Sequence, residues 1–458
     1  MNKINNRLPS SFKDPSGFVF KLNNTIYRQV NKSYCENYNI LINNGLYEYL
    51  ANDGYLISHE ETHDVDFQTI EGYKIIKPKQ ISFISYPYEW CFDQLKDAAL
   101  ATLRIQQKAL DFGMVLKDAT PYNIQFLKGK PVFIDTLSFE KYITNHPWVA
   151  YKQFCEHFLA PLCLMHYTDI RLFQLLKTYI DGVPLDLTSR LLPAKSKLSF
   201  SILSHIHLHA YSQKYYANKT VKSEGKLSLK GLQILVQNLI NVTNSLTIKK
   251  QKTEWGFYYN NINYIAESEL HKKTIVSSLL EKASPKTVWD FGSNTGLYSR
   301  IASEKGIETI SFDIDEIAVN TNYKLVKEKK ESNILPLILD LTNPSANIGW
   351  ANNEKDNLER RGPANLIMAL ALIHHLAISN NVPLLQIASY FHRLGKWLII
   401  EFIPKSDSQF QRLLLSKKDI YLDYSCEQFE SDFQCYFSII ERIPILGSER
   451  ILYLMQAK

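Results

Sequence analysis

The run "LKDATPYNIQFLKGKPVFID" carries Asp118, then Asn123 five positions later, then Asp135 twelve further on. Those residue types at that spacing suit transfer of a phosphoryl group to a hydroxyl. Asp118 would orient or deprotonate the acceptor, while Asn123 and Asp135 would offer magnesium the oxygen ligands that a hard cation prefers. The plainer reading makes Asp118 a turn cap and Asn123 a partner for backbone. A second stretch, "VWDFGSNTGLYS", announces other chemistry. Asp290 ends an apolar run there, and Gly292, Asn294 and Gly296 shape the turn that follows it. Glycines let backbone approach a ligand closely and adopt φ values that a β-carbon forbids.

The second turn reads D-x-G-x-x-x-G and lacks the dinucleotide spacing G-x-G-x-x-G. The expected ligand is therefore S-adenosylmethionine rather than NAD. At these residues the chain resembles the class I S-adenosylmethionine-dependent methyltransferases. The resemblance gives later positions their roles. Asp313, ending "ISFD", matches the family's ribose-binding acid, and a carboxylate can accept two hydrogen bonds at once. Asp315 is the alternative. Asp340 in "LILD" falls at the adenine-edge position. "LALIHHLAI" sets His374 and His375 directly after the fourth strand, on the acceptor side. An imidazole there could take a proton if the acceptor must lose one, or could simply pack the helix. His374 is favoured as site-facing because it comes sooner after the strand. The segment "EWGFYYNNINY" could lid the cofactor through Trp255, Tyr258 and Tyr264, or pack between domains.

These residues need a framework. "TVWDF", "ETISFD", "ILPLILD", "ANLIMAL" and "KWLIIEF" are short apolar strands separated by helical segments, the pattern of a doubly wound α/β sheet. "YFSIIERIPILGSERILYLMQ" adds a hairpin that would close the sheet, giving a Rossmann-like sheet of seven strands. Upstream, "GFVFKLNNTIYRQV" alternates around Asn-Asn and predicts a hairpin over 18–30. "ENYNILINNGLYEYLANDG" has helical spacing and ends at a glycine. "YKIIKPKQISFISYPYEW" returns to strand character, broken by Pro78 and Pro87. A helix follows over 92–112, and 148–240 reads as helical. "IQFLKGKPVFID" reads as strand-turn-strand, which would bring Asn123 and Asp135 together.

This order of a hairpin, a helix, strands, a long helix and the Asp118 loop resembles kinase-like folds of the aminoglycoside phosphotransferase type. The match has departures. "KLNNT" stands where a glycine-rich loop would be, and no Val-Ala-x-Lys strand is visible. Arg28 in "YRQV" is the nearest cation. "TLSFE" follows Asp135, and Lys117 precedes Asp118. If this site is active, the resemblance implies ATP and magnesium here, with Asp118 catalytic and Asn123 and Asp135 on the metal. The composition turns polar and basic at "NSLTIKKQKTEW", over 243–253. The expected domains are therefore an α+β kinase-like unit over 1–245, with a small lobe near 15–90 and a helical lobe over 91–245, and a methyltransferase unit over 246–458.

Bulk properties set the limits. A chain of 458 residues has room for two cores. Its net charge of +6 comes without a long basic block, so nucleic acid is not indicated as a partner. The N-terminus lacks an apolar core, and no run approaches the ~20 apolar residues of a membrane helix. Six scattered cysteines without a CxxC pair read as small hydrophobes in a reducing compartment, so the expected location is cytoplasmic. "SHIHLHA" could present His205, His207 and His209 to zinc on a strand. Its flanks read as helical, where only His205 and His209 share a face. Finally, "SYPYEWCFDQLKDAAL", "GMVLKDATPYNIQF", "PVFIDTLSFE" and "LALIHHLAI" with "IIEFIPKSDSQFQRLL" resemble, over nearly the whole chain, the NoeA-like family of bacterial class I methyltransferases. That resemblance implies methyl transfer to a small-molecule or glycan acceptor. A bifunctional methyltransferase-kinase and a non-catalytic cofactor-binding sensor or scaffold are the alternatives.

Overall fold

Alternating apolar residues on both sides of Asn23-Asn24 fold as β1 (Gly17–Leu22) and β2 (Thr25–Asn31), paired antiparallel with Leu22 opposite Thr25. Both asparagines take positive φ, 48° and 65°, which a two-residue hairpin turn requires and asparagine tolerates. The computed structural model describes residues 7–63, 69–216, 226–248, 266–414 and 423–458. The chain divides into two units, Met1–Lys250 with Asn347–Lys355, and Gln251–Ala346 with Asp356–Lys458. The pre-core segment bearing Trp255, Tyr258 and Tyr264 lies outside the described residues.

In the first unit, β3 (His59–Glu61) and β4 (Gly72–Pro78) complete a four-stranded antiparallel sheet in the order β1-β2-β4-β3. The expected single helix before β3 is two, Cys35–Asn43 and Leu46–Asn52, because Gly45 between them takes φ 88°. Strand character also stops earlier than expected. Proline has no N–H for a ladder, and Pro87 instead opens a short turn, Pro87–Glu89, whose Glu89 carboxylate accepts from the Tyr86 amide at 2.9 Å. The amphipathic helix Phe92–Asp111 buries Leu95, Ala98, Ala99, Leu103 and Ile105. It leads to β5 (Met114–Leu116), the hairpin of β6 (Ile124–Leu127) and β7 (Lys130–Phe133), and β8 (Phe139–Lys141), which pairs with β5. Helical segments follow. "SHIHLHA" runs through a helical turn, Leu203–Leu208, into the helix His209–Tyr216, and the turn buries His205 and His207. His205 meets the Tyr151 hydroxyl and Asn238, and His207 meets Ser189 and Ser196.

The second unit is a seven-stranded sheet. Its strands are β9 (Thr287–Phe291), β10 (Glu308–Asp313), β11 (Ile334–Ile338), β12 (Ala364–Ala369), β13 (Gly395–Phe402), β14 (Phe437–Pro444) and β15 (Ile451–Ala457). Their order is β11-β10-β9-β12-β13-β15-β14. The first five run parallel, and β15 enters antiparallel between β13 and β14. Parallel strands are covered on both faces, which is why "ANLIMA" is apolar almost throughout. Val288, Leu366, Met368, Ile399, Leu452 and Leu454 pack against Val276 and Leu279 of the helix Ala266–Ala283. Strand order reverses between β9 and β12, so a crevice opens at their carboxyl ends. Among the described residues, no helix is long and apolar enough to cross a membrane.

Candidate functional site

The crevice is a cavity of about 440 Å³. Asp290, Gly292, Asn294, Asp313, Asp340 and His375 all line it, as do Lys272 and Arg450. The glycine turn is fastened to the end of β10. The amides of Gly292 and Ser293 donate to the Phe312 carbonyl at 2.9 and 3.0 Å. The Asn294 amide donates to Asp313 Oδ2 at 2.6 Å, and the Asp315 amide to Oδ1 at 2.8 Å. A carboxylate has about four acceptor positions, so Asp313 keeps acceptor capacity for a ligand beside its backbone amides. Asp315 has other work. It caps the helix Glu316–Lys329 by accepting from Ile317 and Ala318, and it does not line the cavity.

Gly296 acts by its size. It caps the helix Leu297–Glu304 with φ 79°, and a β-carbon there would stand 2.5 Å from Asn322 Nδ2 and 2.8 Å from Arg300 Nη1. Arg300 is nearly buried. It grips Glu331 through two nitrogens, each at 2.9 Å, and donates to the Thr295 carbonyl at 2.7 Å, which fixes the turn from behind. Asp290 is 2% exposed and accepts from the Ser299 hydroxyl at 2.6 Å. Burial, reinforced by the charge of Asp313, pushes its carboxyl up to about 7. Burial also pushes Asp313 up to about 6, although the amides of Asp315 and Asn294 pull the other way. Asp340 accepts from the amide and hydroxyl of Thr342 at the cavity edge.

The two histidines exchange the places expected of them. His375 lines the cavity, whereas His374 is 2% exposed, points into the protein and stacks on Phe410 with ring centres 6.3 Å apart. The reversal arises because the chain turns at once into a wide helical turn, His375–Ser379, capped by His374. Burial, assisted by the charge of Arg450, lowers His375 to about 4, so its ring is neutral at pH 7. Sequence reasoning missed a buried charge chain. Lys272 meets Glu401 at 2.6 Å, Arg450 lies 3.5 Å from Glu401, and Arg450 meets Asp407 at 2.7 Å. Glu401 also accepts from the amide of Ala371 at 2.7 Å, holding that cavity-lining residue at φ 50°. One signal was available. A glutamate inside the apolar strand "KWLIIEF" must find a cation once buried.

In the first unit, Asp118, Asn123 and Asp135 come together. Asp118 accepts from Gln153 at 2.8 Å and from the Thr120 amide, and its carboxyl is raised chiefly by burial and then by the charge of Asp135. Asn123 Nδ2 donates to the Ser138 hydroxyl, which donates to Asp135 Oδ2 at 2.7 Å. Asp135 Oδ1 accepts from the Leu137 amide and meets Arg28 Nη1 at 2.6 Å. This arrangement does not fit magnesium, because a guanidinium and two donors already occupy the carboxylate. S-adenosylmethionine does fit the second unit. Asp313 keeps acceptor positions, and at Gly292 the backbone can approach a ligand where a β-carbon would stand 3.2 Å from Leu372.

A parallel sheet in this order, an antiparallel hairpin at its edge and an acid-glycine turn at the switch point define a class I methyltransferase fold. No protein-family model matches the chain. It is 33% identical over 457 residues to the nodulation protein NoeA of Rhizobium meliloti strain 1021, covering 98% of this chain and 95% of that one. The chain belongs to the NoeA family. Among solved structures, magnesium protoporphyrin IX methyltransferase ChlM from Synechocystis PCC 6803 with bound SAH aligns with 43% of this chain and 89% of its own, at 15% identity and TM-score 0.31. The N-methyltransferase NodS from Bradyrhizobium japonicum WM9 aligns with 42% and 97%, at 12% identity and TM-score 0.30. The bifunctional kinase-methyltransferase WbdD aligns with 47% of this chain and 45% of its own, less than half its length, at 15% identity and TM-score 0.30.

Proposed function

We propose that the second unit binds S-adenosylmethionine and transfers its methyl group to a small-molecule or glycan acceptor. One observation carries the reading. Asp290 and Asp313, which form no ion pair within the described residues, face one cavity beside the glycine turn at the switch point. Carboxylates buried this way favour a cationic ligand. Bound there, the sulfonium would supply an activated methyl group.

The chain's own contribution is positioning and exclusion of water. Asp313 would accept the ribose hydroxyls, and Asp340 would face the adenine edge. Gly292 and Asn294 would bring backbone close to the ligand. On the acceptor side, His375, Ser379 and Asn380 offer polar atoms suited to an acceptor rich in hydroxyls or amines, such as a saccharide. Neutral His375 would accept a hydrogen bond from that acceptor and aim it. With its pKa near 4 it is a weak base at pH 7.

Calorimetry on the full chain tests this. Asp313→Asn removes one charge-assisted ribose bond, worth about 1.5–3 kcal/mol, so binding should weaken roughly 10- to 150-fold. A wild-type protein that does not bind S-adenosylmethionine refutes the proposal. Transfer of labelled methyl in a glycan-rich extract distinguishes the enzyme from a sensor.

A further inference from the structure

The acids of the first unit are answered by the protein's own cations. Arg28, on β2, reaches Asp135 at 2.6 Å and Asp14 at 3.0 Å. The side chains of Arg28 and Asp135 are each 13% exposed, so the pair is largely shielded from water. Lys117 donates to the Ser16 hydroxyl at 2.6 Å and lies 3.7 Å from Asp14. Together these bonds tie the Asp135 loop to β2, and tie β2 and Lys117 to the segment before β1.

A second cation arrives from far along the sequence. Asn347–Lys355 belongs to the first unit. The ammonium of half-buried Lys355 sits 4.0 Å from the centre of the Tyr122 ring, one residue before Asn123. Burial lowers Lys355 to about 8, against the opposing pull of Glu354, Asp181 and Asp118. The segment is pinned through Glu354, which accepts from the Trp350 amide at 2.9 Å and meets Lys13 at 2.9 Å.

We propose that Arg28, seated on Asp135, stands in for the divalent cation of a phosphoryl-transfer site, with Lys355 beside Tyr122 as a further positive charge at the loop, so that the first unit takes no magnesium nucleotide. The seating supports this, since Arg28 places its guanidinium directly on Asp135 Oδ1, where a metal would bind. Arginine suits the substitution because its fork is always charged and binds carboxylate directionally. A metal would have to displace a guanidinium already seated on Asp135 and lose its own hydration shell as well.

The test uses the full chain, with manganese followed by spin resonance and magnesium, with and without ATP, followed by thermal melting. Wild-type protein should show no saturable manganese binding, and magnesium-ATP should leave its melting midpoint within about 1 °C. Arg28→Gln vacates the carboxylate and should gain saturable manganese binding and a midpoint that rises by several degrees with the metal. Arg28→Gln/Asp135→Asn should lose that gain. Arg28→Lys keeps the charge and should stay indifferent to metal, which preserves the test if Arg28→Gln does not fold. Saturable manganese or magnesium-ATP binding in the wild type, removed by Asp135→Asn, overturns the proposal. So does a folded Arg28→Gln that gains nothing.

Discussion

Asp290→Asn isolates the electrostatic demand of the cavity. The folded carboxyl titrates at about 7 against an ordinary value of 3.8, because it is buried beside Asp313. Between those values the folded state holds a proton that the unfolded chain has lost. Stability therefore falls as pH rises from about 4 to about 7, and it is lowest above 7, where the buried group must ionise. At ~1.4 kcal/mol for each pH step within that window, this group alone should cost about 2 to 3 kcal/mol more at pH 8 than at pH 5. For a domain of this size, that is roughly 5–10 °C in midpoint. Asparagine can still accept from Ser299 but has no charge to desolvate. The variant should consequently lack this part of the slope and exceed the wild type in stability at pH 8. Urea unfolding of both proteins without cofactor, at pH 5, 6, 7 and 8, measures the difference directly. Saturating S-adenosylmethionine should flatten the wild-type slope, since a nearby positive charge favours the carboxylate. It should bind the variant more weakly. Parallel pH curves for the two proteins would refute the reasoning, whatever their absolute stabilities.

Two further outcomes follow from the packing. Lys272→Met takes from Glu401, 0% exposed, its cation at 2.6 Å, while the more distant Arg450 and the Ala371 amide stay in place. Thermal melts should fall by about 3 kcal/mol, the low end for breaking a buried pair, and Lys272→Met/Glu401→Gln should regain most of it. Gly296→Ala forces a β-carbon into φ 79° and against Asn322 and Arg300. Denaturant unfolding should show a loss of about 2 to 4 kcal/mol, combining backbone strain with overpacking, and a loss below ~1 kcal/mol contradicts the assigned role.

The sequence made the sheet of the second unit legible because its signals are local. Apolar runs of strand length, an acid at a strand end and glycines in the next turn all sit within a few residues of one another. Asp290 and Asp313 could therefore be placed on one crevice without coordinates. The Lys272–Glu401–Arg450 chain could not, because its members meet only after the helix Ala266–Ala283, β13 and the loop before β15 have packed. His374 and His375 show a finer limit. Proximity to the strand favoured the first, but a single widened helical turn decides which ring faces the cavity, and periodicity of 3.6 does not encode that turn. Membership of Asn347–Lys355 in the first unit was equally hidden, since reading along the chain assigns it to the sheet that flanks it.

The two acidic sites differ in how their charge is met, and that difference decides which one awaits a ligand. In the first unit, Asp135 commits its oxygens to Arg28, Ser138 and Leu137, and Asp118 accepts from Gln153 and Thr120, so folding seats a cation on Asp135 although burial still raises Asp118. In the second, Asp313 receives backbone amides and Asp290 one hydroxyl, neither forms an ion pair among the described residues, and both carboxyls are pushed up in pKa. Buried acids held at a higher pKa than usual mean that the fold gives up stability near neutrality to keep them there. A bound cation returns that stability, so part of the binding energy is already present in the folded protein before the ligand arrives. Kinase-like spacing marked the first site more loudly in the sequence. Electrostatics gives the second the greater claim to chemistry.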